Sequence, residues 1–173
     1  MSAGLVGEAL LESVARITSS LGEQSFAISG DAARCLWMLD SLTTKYDAAL
    51  WKKICHPWPA EVTVVTATDL ALPDGSLRDQ SPIAIEFGTS MIRDRQFIAI
   101  PGSSVRTPLV QPAFVLAEIL LENDPLRVTR IADLLRCLEA GDRALDIEEV
   151  RVLLKAVKAG EHFGLLAEVA AIL

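Results

Sequence analysis

Ile83-Ala-Ile-Glu-Phe87 and Phe97-Ile-Ala-Ile100 are the two stretches on which the reading of the fold turns. In the first, Ile83, Ile85 and Phe87 alternate with Ala84 and Glu86, the period of two that a half-buried strand requires. The connection from Gly88 to Arg95 is short, so antiparallel pairing of the two stretches is the natural solution. A β-branched run, Glu61-Val-Thr-Val-Val-Thr66, adds a further strand by residue preference. The expectation is an α+β fold with a small antiparallel sheet of about three strands, around 61–66, 83–87 and 97–100.

Outward from this centre the chain reads as helix. Val6, Leu10, Val14, Ile17 and Leu21 lay one apolar stripe along residues 4–21, and Gly22 follows where a terminal glycine stops a helix. Ser25-Phe-Ala-Ile28 suits an edge strand or a connector. A second helix is expected after Ser29 through Ala32, Cys35, Leu36, Leu39 and Leu42. A third runs from about Lys45 to Cys55, with Thr44 as N-cap, and ends at His56-Pro-Trp-Pro59. Trp37, Trp51 and Trp58 fall in this one region and suit a shared packing cluster.

On the other side, Pro112 opens a helix running to about Asn123, and Asp124-Pro125 restarts one. Asp146-Ile-Glu-Glu149 has capping-box character ahead of Val150, Leu153 and Leu154. The segment Phe163 to Leu173 is apolar enough to require docking. N-terminal helices and a C-terminal helical bundle thus flank the sheet. A division near Asn123–Asp124 separates an α+β body, 1–123, from a helical C-terminal subdomain, 124–173, packed on it as one compact unit.

A chain of 173 residues is long enough for one domain that buries roughly 70% of its unfolded surface. It is rich in apolar residues (51%), yet charges interrupt every candidate for a spanning helix, so no membrane insertion is expected. Glu8 and Glu12 stand where a signal peptide would be basic or apolar. The expected location is cytoplasmic, or virion-associated for a viral chain. The net charge of −7, with acids spread along the chain, disfavours a broad nucleic-acid-binding face.

Candidate chemistry is sparse. Cys35, Cys55 and Cys137 form no C-x-x-C, which leaves buried free thiols as the expectation. Cys55 with His162 is the only arrangement that offers a thiolate nucleophile, and the adjacent His56 suits a helix C-cap. Gly141 to Glu149 is reminiscent of half a calcium-binding loop, but Arg143 occupies the position of the required glycine. No metal and no cofactor are expected. Arg93, Arg95 and Arg106 could converge into an anion- or nucleic-acid-binding patch near Pro101-Gly-Ser-Ser104.

In plan, an acidic chain with an N-terminal helix, a short sheet and further helices resembles the dimeric chaperones of bacterial secretion systems. The same plan suits a bacteriophage structural or assembly protein. The expectation drawn from this is a non-enzymatic interaction or assembly protein with a protein partner, self-associating as a homo-oligomer, a dimer by preference. Phe87, Phe97, Ile98, Phe163 and Leu166 are its interface candidates. The alternatives are a small cysteine-dependent hydrolase or transferase, and an RNA- or nucleotide-binding accessory protein using the arginines.

Overall fold

A computed structural model describes residues 7–42, 48–55, 58–67 and 69–173. The expected caps at Thr44 and His56 lie outside the described residues. The α+β class holds, but the sheet is five-stranded and mixed, not three-stranded and antiparallel.

The first helix, α1 (Gly7–Leu21), buries the stripe Leu10, Val14, Ile17 and Leu21 and ends at Gly22, whose φ is +60°. Strand β1 (Phe26–Ser29) follows and is buried throughout. It is neither an edge nor a connector: the strand order β3-β2-β1-β5-β4 puts it at the centre. It pairs antiparallel with β2 (Val62–Thr66) and parallel with β5 (Arg106–Leu109). Strand β3 (Ser76–Arg78) adds on parallel to β2, and β4 (Gln96–Ala99) lies antiparallel to β5 at the other edge. Gly102, with φ +77°, lies in the loop that joins β4 to β5.

The main correction concerns 83–87. These residues belong to a helix, α4 (Pro82–Arg93), and no strand pairs there with 97–100. The alternation of Ile83, Ile85 and Phe87 spans too few residues to separate the two periods. Over the longer window Ile83, Ala84, Met91 and Ile92 are buried with Phe87 packed beside them, a spacing of three and four. Ser81 is the N-cap and Pro82 the first helical residue, a helix start that outweighs five alternating positions. Ile85, placed inward by the strand reading, is 75% exposed.

The two faces of the sheet carry different helices. Thr18 of α1 shares a 2.8 Å hydroxyl bond with Thr107, on the face that also holds Ile28, Val64 and Leu109. On the opposite face α4 packs over β2, its Gly88 facing Val65. Helix α2 (Gly30–Ser41) leaves directly from the end of β1. Gly30 has a φ of +65°, and a Cβ there would stand 2.6 Å from Thr63 Oγ1, so both backbone geometry and space call for glycine. Helix α3 (Ala48–Ile54) docks on α2 through the Trp51 indole N–H, which donates to Cys35 O at 2.9 Å. Trp51 meets Trp58 edge to face at 5.1 Å. Trp37 is held apart from that pair, donating to Val110 O at 2.7 Å.

Helix α5 (Pro112–Leu121) is buried nearly all round and contacts α2, α4, α6 and α7. Helices α6 (Arg127–Ala140), α7 (Ile147–Ala156) and α8 (Phe163–Ile172) complete the fold. Asp146 caps α7 as its sequence suggests, with Oδ1 accepting the Glu148 amide at 3.0 Å.

Candidate acidic ligand groove

The apolar helix α5 carries one acid, Glu118, only 5% exposed among Phe114, Val115, Ile119 and Leu120. Burying a carboxyl without partners is costly, so its surroundings have to answer it with hydrogen bonds. Three residues surround it at the end of the sheet where β1 runs into α2. Ser81 donates its hydroxyl to Glu118 Oε2 at 2.6 Å while its own oxygen accepts the Ala84 amide at 3.1 Å. The Gly30 amide lies at the same carboxyl and favours its ionised form. Asp79, just past β3 and tied to β2 by its amide on Val64 O at 2.8 Å, is the third partner.

The Asp79 and Glu118 carboxyls are close enough to perturb each other's ionisation, and two carboxyls sharing one buried site favour a proton on one of them. Glu118 holds it. Desolvation, then the hydrogen bond and charge of Asp79, push Glu118 well above the usual carboxylate range. Burial works against ionising Asp79 too, but bonds from Glu118, Ser29 and Ser81 outweigh it and hold this group below its ordinary value. The Ser81 amide, 2.9 Å from Asp79 Oδ1, is one of these. Asp79 Oδ2 and Glu118 Oε1 are the two oxygens left over: both are shut off from solvent, and among the described residues no N–H or hydroxyl reaches either.

The pair faces a cavity of about 570 Å³. Trp58, Pro59, Pro82 and Leu121 supply its apolar wall, and among the described residues Asp31, Glu61, Asp79, Glu118 and Glu122 supply five acids against one base, Arg130. That base is already engaged, at 2.7 Å to Asp31 and 3.4 Å to Asp124. Asp31 also receives Arg34, 1% exposed, at 2.6 Å, and so holds α2 and α6 together. Glu122 is pushed up to about 7 by desolvation and by the Asp31 carboxylate. Among the described residues, no three His, Cys, Asp or Glu side chains are grouped to hold a metal ion.

The residues singled out in the sequence fall elsewhere. Cys55 is fully buried. Its thiol is pushed far up by the hydrogen bond to Cys35 and by desolvation, the opposite of what a nucleophile needs. His162 lies in the short helical turn Gly160–His162, with Nε2 3.8 Å from Glu161, and no hydrogen bond joins it to Cys55 among the described residues.

Arg95 and Arg106 do converge, lining a smaller cleft of about 230 Å³ around Phe97. Arg95 lies 5.4 Å over the Phe97 ring and donates to Ile92 O at 2.8 Å. Arg106 donates to Phe97 O at 3.3 Å. Arg93 turns away to Asp94 at 2.9 Å. Of the interface candidates, Ile98 and Leu166 are used in the core. Phe87 packs on Phe114 at 6.4 Å, and Phe163 lies under Arg151 at 4.5 Å. Phe97, 48% exposed, is the most open of the five.

Sequence reasoning passed over the groove entirely, although one signal was present: a lone acid inside Phe114 to Leu121, where every neighbour is apolar. Compared with known proteins, the chain matches no family model, no curated protein and no solved structure. No helix among the described residues is long and apolar enough to cross a membrane.

Proposed function

We propose that this chain is a binding protein whose acidic groove receives a small ligand against the Asp79–Glu118 carboxyl pair. One observation carries the reading. An acid 5% exposed on an otherwise apolar central helix opens onto a cavity of about 570 Å³. That size is typical of small-molecule sites, with apolar walls and a few convergent polar groups. Packing alone has no use for a carboxyl at this position, because leucine would fill the same space without the desolvation cost. Perturbed carboxyls in a concave site mark functional positions more often than structural ones.

The test is an amide-detected NMR screen of small fragments against the wild-type chain and an Ala60→Trp variant. Ala60 is an exposed residue on the groove wall, so the indole fills the site without disturbing the core. Ligands should shift the amides of Gly30, Asp79 and Ser81, and the variant should abolish those shifts. Binders that leave these amides untouched would remove the reading.

A second reading, self-association in an assembly role, is favoured by the outer edge of β4. Its sequence Gln96-Phe-Ile-Ala99 contains no charge and no proline, the usual guards of an exposed edge, and it displays Phe97. Light scattering at several concentrations should then report a dimer that Phe97→Lys dissociates. A strict monomer excludes it.

A further inference from the structure

We propose that the ligand of this groove is an organic cation, bound through an ammonium or guanidinium group that takes the place of the proton shared by Asp79 and Glu118. The inference rests on the reading of the groove as a ligand site and names the chemistry of what enters it.

Three observations lead there. Asp79 Oδ2 and Glu118 Oε1 are buried acceptors that no donor among the described residues reaches, and a proton held between the two carboxyls eases their proximity in the free protein. A ligand with two or more N–H donors on one charged group supplies both bonds at once. Charge points the same way. Among the described residues the groups facing the pair are Asp31 from α2, Glu61 ahead of β2, Glu122 just past α5 and Arg130 from α6, and that base is held by Asp31 and Asp124. An anion entering here would meet an ionised Asp79 with no free counter-charge among these groups. The wall supplies the third reason. Trp58 brings an aromatic ring to the groove, a favourable neighbour for a cation, and Pro59, Pro82 and Leu121 offer apolar cover for the ligand's carbon skeleton.

The exchange balances. Before binding, the pair carries one negative charge and one proton. The cation arrives, Glu118 releases its proton to solvent, and two carboxylates then face one positive charge, so the net charge of the site is unchanged. One proton is released for each cation bound, and binding therefore tightens as pH rises while Glu118 is protonated in the free protein.

The experiment titrates the full chain with n-butylammonium and methylguanidinium, using n-butanol and butyrate as neutral and anionic controls, and follows the amides of Gly30, Asp79 and Ser81 by NMR. Both cations should shift these amides saturably and the controls should not. The affinity should rise with pH above about 4.5, approaching about tenfold per pH unit while Glu118 is protonated in the free protein, with a further rise as Glu122 ionises near 7. Calorimetry in two buffers of different ionisation heat should register that proton. Glu118→Gln reproduces the protonated shape, so it should keep the wild-type spectrum while weakening cation binding at least about tenfold and leaving only the pH dependence that Glu122 supplies near 7. Groove shifts as large from n-butanol as from the cations would overturn the cation assignment while leaving a ligand groove in place. The absence of groove shifts from either cation would overturn it as well. The Ala60→Trp screen judges the groove itself independently.

Discussion

The Ser81 hydroxyl joins two elements with a single oxygen: it donates to Glu118 Oε2 at 2.6 Å and accepts the Ala84 amide at 3.1 Å. The residue that starts α4 is therefore also the residue that fixes the buried acid of α5. Ser81→Ala removes a helix cap and strands a buried carboxyl oxygen together. The expected loss is about 1–3 kcal/mol in chemical denaturation, and Ser81→Thr should recover most of it.

The carboxyl pair makes stability depend on pH in a definite sense. Glu118 has a folded pKa above its unfolded value, so the native state binds the extra proton, and stability falls as pH rises from about 4.5 toward the folded value. Asp79 has a lowered folded pKa, so its contribution is present above about 3.8 and is lost as pH falls through the folded value. Glu118→Gln keeps the hydrogen-bonding pattern of the protonated acid and removes the first effect. The stability difference between variant and wild type should grow with pH, approaching about 1.4 kcal/mol per pH unit while Glu118 remains protonated in the fold. Parallel melting curves from pH 5 to 8 would contradict it.

The identity of α4 has its own test in two neighbouring isoleucines. In a strand, Ile83 and Ile85 would share a face; in the helix, Ile83 is fully buried and Ile85 is 75% exposed. Ile85→Lys should change stability by no more than about 0.5 kcal/mol, whereas Ile83→Lys should prevent stable folding. Comparable damage from both would restore the strand.

Asp31 holds two arginines, one of them inside the protein. Arg34, 1% exposed, has Asp31 at 2.6 Å as its carboxylate partner, and its remaining bonds reach only Met38 Sδ, Cys35 Sγ and Cys55 O. Asp31→Ala should cost about 3–5 kcal/mol in denaturant titrations, because it leaves a charge buried and unmatched. Truncating Arg34 and Asp31 together should cost less than the sum of the two single changes.

How far the sequence could be read follows from where its signals are local. The stripe of α1, the glycine after it and the Asp146 cap depend on residues a turn apart, and they appear in the structure as read. Strand β1 is four residues long and becomes the centre of the sheet only through partners some 35 and 80 residues away, which no local pattern encodes. Strand β5 was hidden by Pro108, which normally argues against an interior strand, and β3 by having only three residues. At 81–92 the signal was present and was outweighed: Ser81-Pro82 marks a helix start, and five alternating residues fit either period. The groove assembles Gly30, the pair Asp79 and Ser81, and Glu118 from three separate segments. Of these, the lone acid in α5 was the one legible clue.

The account rests on Glu118 holding a proton against Asp79, and the carboxyl carbon of Glu118 reports that state directly. Followed by carbon-13 NMR through a pH titration, with Glu118→Gln to assign the resonance, Glu118 should keep the shift of a protonated acid well above the range in which a solvated carboxyl ionises, about 4.3 for glutamate in a model peptide. A Glu118 resonance that titrates like such a solvated carboxyl would contradict the account.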